Sequence, residues 1–229
     1  MQRQDLRITT AGGAFDCYCV TPAGASEVPG VVLASAVHGV TSEIRRFADE
    51  LAGHGYVVAA PDLFWRSVPG PLSREDKRAA ERSQPRAQRI REGEADLVDS
   101  AAMLREHARV NGRLAVIGFC YGGPYAILGT KRLGYDAGLS FHGTNLGDYV
   151  GEIEGIAKPL CIIWGDRDFA APAPVQEAYR SVAARMPNVE VHILPGVDHG
   201  YTMPDAKAYD AKAREFSIGK ALGILARLR

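Results

Sequence analysis

A thiol, a pair of carboxylates and a histidine in this chain have the types and the order needed for acyl transfer. The thiol is Cys120, within Leu114-Ala-Val-Ile-Gly-Phe-Cys-Tyr-Gly-Gly-Pro-Tyr-Ala126. An apolar, β-branched run breaks at Gly118 and resumes at Gly122 as a small-residue helix start. The segment therefore reads as strand, tight turn and helix, with Cys120 at the apex. This is the layout of a nucleophile elbow, G-x-S-x-G, with sulfur in place of the serine oxygen. Such a turn strains the backbone of its central residue, and Gly118 and Gly122 avoid collisions across it. It also aims the sulfur at a helix N-terminus, where the dipole and the free N–H of Tyr121 can stabilise thiolate and oxyanion. A dinucleotide fingerprint would require glycine at position 120, and a structural cysteine would simply be a small buried hydrophobe. Strand, glycines and helix all stand where the elbow needs them, and no serine occupies an equivalent turn.

A thiol at neutral pH needs a base, and the base needs an orienting acid. Both should follow later strands at the same sheet edge. Leu160-Cys-Ile-Ile-Trp-Gly-Asp-Arg-Asp-Phe-Ala-Ala-Pro172 is a strand running into an acidic loop, and Val189–Leu194 runs into Pro195-Gly-Val-Asp-His-Gly-Tyr201. His199, in a glycine-bounded loop, is the expected base. Asp166 and Asp168 both follow the strand, and either could serve as the acid or merely cap the turn. Asp198, adjacent to the histidine in sequence, is expected to point away from its ring. Nucleophile, acid, histidine is the chain order of the α/β-hydrolases.

The elements that must carry these residues alternate. Asp5–Thr10 and Ala14–Val20 flank Ala11-Gly-Gly13 as an N-terminal β-hairpin. Val31–Ser35, Tyr56–Ala60, Ala137–Phe141, Leu160–Trp164 and Val189–Leu194 are short apolar runs of the kind buried on both faces. Ser42–His54, with Ile44, Phe47 and Leu51 on one face and Gly55 as its stop, reads as a helix. So do Glu94–Ala108, Ala173–Arg185 and Tyr209–Arg227. The pattern predicts an α/β fold with a doubly wound, mostly parallel sheet and sites beyond the carboxyl ends of its strands. Ser73–Glu92, dense in charge, reads as a solvated helical excursion; the alternative is that one or two of its arginines turn inward to hold a substrate anion.

At 229 residues, 46% of them hydrophobic, the chain predicts one domain over 1–229. Zero formal net charge gives no electrostatic case for nucleic acid or an anionic membrane. No signal-like or membrane-spanning apolar run is evident. The four cysteines do not form a disulfide framework, and Cys17 and Cys19 lack a second pair with which to bind zinc. A cytoplasmic protein, monomeric or weakly homodimeric, is expected.

Gly118-Phe-Cys-Tyr-Gly-Gly123, Gly165-Asp-Arg-Asp168…Pro172 and Asp198-His-Gly200, with Pro61-Asp-Leu-Phe-Trp-Arg66 and Pro69-Gly70, resemble the dienelactone hydrolase (carboxymethylenebutenolidase) family over nearly the whole chain. The resemblance implies a cofactor-free hydrolase of small-molecule esters or lactones with an α/β-hydrolase fold and no bound metal. Its triad would be Cys120, His199 and Asp168, since the family pattern G-x-x-D selects Asp168 over Asp166. It also places the second oxyanion N–H in the loop after the first buried strand, on Val37. There the chain reads Ser35-Ala-Val-His-Gly39, so Ala36 stands where the family carries a thiol-activating glutamate, and His38 where it carries an aromatic. Arg78 and Arg82 are the matches to the arginines that hold a substrate carboxylate, and Met203 stands where a second arginine can occur. Trp65, His142 and Tyr201, together with Phe119 and Tyr121, are candidate pocket walls. Loss of the glutamate leaves a rival from another class, an idle small-molecule binding protein on the hydrolase fold.

Overall fold

The computed structural model describes all residues from Met1 to Arg229. Eight strands form one mixed sheet in the order β1-β2-β4-β3-β5-β6-β7-β8. Strands β1 (Gln2–Thr10) and β2 (Gly13–Thr21) are the antiparallel hairpin, closed where Thr10 faces Gly13, whose φ of 143° only glycine adopts without strain. The chain groups into two compact units, residues 1–115 with Arg229 and residues 116–228.

In the first unit, β3 (Val28–Ala34) and β4 (Val57–Pro61) pair in parallel, and β4 is joined to β2 antiparallel. Between them lies α1 (Ser42–Gly53), which buries Ile44, Phe47 and Leu51 as its spacing predicts. Gly55, at φ 87°, turns the chain out of the helix. Both strands are apolar throughout, because each carries side chains packed on both faces of the sheet.

The charged segment is not one excursion. A five-residue helix, α2 (Arg78–Arg82), is followed by α3 (Arg86–Glu106), which begins eight residues ahead of the expected Glu94. Arg82 is buried, although a solvated face was expected there. Its guanidinium donates to the carbonyl oxygens of Val68 (2.8 Å), Val37 (2.9 Å) and Gly70. Asp62 secures the same loops by accepting the backbone N–H groups of Phe64 (3.0 Å) and Gly70 (2.7 Å). Loop carbonyls withdrawn from water require donors, and a five-donor side chain can satisfy several at once. Charge patterning along a sequence does not reveal that demand.

In the second unit, β5 (Val110–Phe119, its C-terminal half) leads into a 3-10 turn at Cys120–Gly122 and then α4 (Pro124–Arg132). β6 (Ala137–Phe141), β7 (Leu160–Gly165) and β8 (Val189–Leu194) follow in parallel register. α5 (Ala173–Ala183) joins β7 to β8, and α6 (Ala211–Leu225) starts at Asp210, whose carboxylate accepts the Ala213 N–H at 2.9 Å. Ile127, Leu146, Ile162, Trp164 and Tyr179 form the core between these elements. No helix is long and apolar enough to cross a membrane.

Replacing Arg82 with Ala removes the donors to three part-buried carbonyl oxygens. The expected cost is about 3 kcal/mol of unfolding free energy, since each unsatisfied buried polar group costs roughly 1–3 kcal/mol. Arg78→Ala, at an exposed site, is expected to leave the urea midpoint in place. Equal midpoints for the two variants would contradict the strut.

Candidate active site in residues 116–228

The turn after β5 is built by close backbone approach. A Cβ on Gly118 would lie 2.1 Å from the Gly122 carbonyl oxygen, and one on Gly123 would lie 2.4 Å from the Gly143 Cα. Both positions are therefore closed to any other residue. Between them Cys120 adopts φ 51°, in the left-handed region that costs a non-glycine residue about 1–3 kcal/mol. Its carbonyl is anchored by the N–H groups of Thr144 (2.9 Å) and Gly123 (3.0 Å). A strained residue so firmly held presents its side chain in one direction.

The structure brings His199 and Asp168 to this thiol. His199 Nδ1 lies 2.8 Å from Asp168 Oδ1, and the Cys120 side chain is near enough to the imidazole to raise its pKa. Asp168 is buried, and its Oδ1 additionally accepts the Ala170 N–H at 2.9 Å. Asp166, indistinguishable from it in the strand-loop pattern, turns the other way and accepts the Gly196 N–H at 2.7 Å. Asp198 is exposed. Burial by itself would lower the His199 pKa. The hydrogen bonds and negative charge of Asp168 and Cys120 oppose it and push the pKa up to about 10. At neutral pH the imidazole therefore holds a proton between a carboxylate and the sulfur.

Other expected residues lie elsewhere. His142 is buried at φ 42°, with Nε2 at 2.8 Å from the Thr202 hydroxyl and its ring edge-on to His199 at 5.0 Å. It supports the histidine from within rather than lining an opening. Tyr201 is fully buried, packs on His142 and shares a 2.7 Å hydrogen bond with Ser217 of α6, so it too belongs to the core. Phe119 is buried against Phe141, and the Tyr121 side chain is buried near Tyr125. In each case an aromatic was expected at a pocket, and its hydrophobic area went to the interior instead.

The remaining expected residues belong to residues 1–115. The Trp65 indole donates to Asp96 at 3.1 Å and packs beside Phe15 of the hairpin, a structural role. His38 is half-buried, and burial, with Arg74 and Arg82 nearby, lowers its pKa. Arg78 is exposed and paired with Asp76 at 2.7 Å, while Arg82 spends its donors on backbone carbonyls. Neither is poised as a free anion clamp. Val37 lies in the loop that Arg82 holds by its carbonyl.

One residue escaped the sequence reading. Phe169 is 81% exposed, and its ring centroid sits 4.9 Å from that of His199. A large apolar residue directly after Asp168, in a loop whose other residues are charged or small, was the available signal. Away from the thiol, Cys161, Glu190 and His192 offer ligand atoms all within 4.8 Å of one another. Lys220 already occupies Glu190 at 2.7 Å, and burial pushes the Cys161 thiol up to about 12. A cation there would have to displace an ammonium and deprotonate a reluctant thiol.

The raised pKa of His199 stabilises the folded chain fully below its ordinary value near 6.5, and this contribution is lost as pH rises toward about 10. The stability advantage of the natural chain over His199→Gln should therefore shrink steadily across that interval in urea titrations. An advantage independent of pH would show that the ring is not held protonated.

The dienelactone hydrolase family model matches residues 15–228. A relative from Azospirillum brasilense, provisionally named a carboxymethylenebutenolidase, is 31% identical over 91% of each chain. Carboxymethylenebutenolidase 1 of Cupriavidus pinatubonensis is 29% identical, covering 100% of this chain and 99% of that one. A Klebsiella pneumoniae structure, provisionally named a dienelactone hydrolase, superposes with a TM-score of 0.86 at 21% identity over 99% of this chain and 98% of its own, a likeness of fold. A match over nearly the whole length, together with the elbow and the loops that follow β7 and β8, places the chain in the dienelactone hydrolase family.

Proposed function

We propose that this hydrolase cleaves small carboxylic esters or lactones through a thioester on Cys120, within one domain over 1–229. Its family makes it a hydrolase of ester or lactone bonds; the residue roles rest on one observation. A single imidazole is hydrogen-bonded to Asp168 through Nδ1 at 2.8 Å and feels the thiol at the strained elbow, the arrangement that generates a nucleophile and later donates a proton.

His199 holds, as imidazolium, the proton that Cys120 has given up, and the thiolate attacks the acyl carbon. The carbonyl electrons move onto oxygen, facing the N–H of Tyr121 at the head of the turn. Collapse of this adduct expels the alkoxide, which takes the proton from His199 and leaves as alcohol, or as a tethered hydroxyl when the substrate is a lactone. Water then gives a proton to His199 as its oxygen attacks the thioester. The carboxylic acid departs, leaving thiolate beside the imidazolium. Asp168 keeps the ring in one orientation and favours its cationic form throughout. That pairing compensates for Ala36, because the thiol has its proton acceptor in His199 without a further carboxylate.

The commitment of Arg82 to backbone carbonyls and the pairing of Arg78 with Asp76 argue for substrates without a second carboxylate. Uncharged monoesters and simple lactones fit better than an anionic dienelactone.

Cys120→Ala should lose at least about a thousandfold in kcat against p-nitrophenyl acetate while keeping its thermal midpoint, as expected when a nucleophile is removed. Iodoacetamide should abolish the same activity in the natural chain. Undiminished turnover in either case would rule out the thioester.

A further inference from the structure

We propose that Phe169 and the depression beside it receive the alcohol portion of the substrate, and that this portion is apolar and uncharged. The inference rests on the thioester reading and adds a substrate class to it.

Phe169 is the most exposed of the large hydrophobic side chains, yet its loop is not loose. The Asp168 carboxylate holds the Ala170 N–H at 2.9 Å, the Asp168 carbonyl holds the Ala171 N–H at 3.0 Å, and Ala171 is buried. An aromatic ring fixed in water beside a catalytic imidazole gains by being covered. Beside it lies a depression of about 350 Å³, walled by Phe169, Pro172 and Val175 on one side and by Thr144, Asn145 and Asp148 on the other. Its two ends join the machinery. Phe169 contacts the His199 ring, and the Thr144 N–H holds the carbonyl of Cys120.

The chemistry of the leaving step chooses which part of the substrate lies there. His199 must hand its proton to the alkoxide oxygen, so whatever is bonded to that oxygen lies on the histidine side. The acyl group instead stays on sulfur. None of the residues lining the depression is a cation, and Asp148 supplies a carboxylate. An anionic alcohol would meet repulsion and no partner, whereas an alkyl or aryl group would cover Phe169, Pro172 and Val175.

The test uses acetate esters of ethanol, butanol, hexanol and 2-phenylethanol, whose leaving groups differ little in acidity, beside ethyl esters of lengthening acids. In the natural chain kcat/KM should rise along the alcohol series, and the acetyl ester of glycolate, an anionic alcohol, should be poor. In Phe169→Ala the hexyl-to-ethyl ratio should fall about tenfold, the scale on which apolar pockets discriminate, while Phe169→Leu restores part of it. The ratio along the acyl series should be the same in all three proteins. A flat alcohol series in the natural chain, a hexyl-to-ethyl ratio unchanged by Phe169→Ala, or a change confined to the acyl series would overturn the assignment. Cys120→Ala measured on the same esters separates the two levels. Hydrolysis persisting there would overturn the nucleophile itself, whereas a silent Cys120→Ala with a flat alcohol series in the natural chain would overturn only the subsite.

Discussion

The chemistry of residues 116–228 depends on how closely the backbone approaches itself around Cys120. Gly118 passes beneath the Gly122 carbonyl at a distance no side chain could tolerate, and Gly123 does the same against Gly143. That contact forces Cys120 into the left-handed region, and hydrogen bonds from Thr144 and Gly123 to its carbonyl keep it there. The strain is small beside the packing that surrounds it, where β5, β6 and α4 are buried almost throughout. A folded interior can hold a residue in an unfavourable conformation when many contacts determine its position at once. The result is a thiol whose direction is set before any substrate arrives.

Electrostatics then decides what that thiol can do. Burial disfavours a charged imidazole, so His199 would become a weaker base if it were alone. Asp168 reverses the balance at 2.8 Å, with the sulfur contributing in the same direction. His142, edge-on at 5.0 Å and tied to Thr202, fills the space behind the ring and limits its tilting. The exposed ring of Phe169 stands on another side of the imidazole, its centroid 4.9 Å away.

In residues 1–115 a different problem is solved with the same economy. In the loops that follow β3 and β4, Arg82 donates to the carbonyl oxygens of Val37, Val68 and Gly70, and Asp62 accepts the N–H groups of Phe64 and Gly70. A charge placed inside for this purpose is unavailable for substrate. Arg82, one of the two arginines that invite an anion-binding interpretation, therefore serves loop architecture.

The amino-acid sequence alone determined the strands, most helices, the elbow and the place of the histidine. These features rest on local signals: β-branched runs, glycines where backbones touch, and a loop bounded by glycine. Without the family pattern it left Asp166 and Asp168 equivalent, because two carboxylates two residues apart in a loop differ only in the turn each side chain takes. Tertiary structure separated them, sending one to His199 and the other to the Gly196 N–H. It also buried Arg82, His142 and Tyr201 while leaving Phe169 in water. Residue type predicts the average fate of a side chain, whereas its actual direction is set by partners distant in sequence. The carbonyls that Arg82 serves lie 12 to 45 residues away, and Thr202 lies 60 residues from His142. No periodicity within a single segment carries that information.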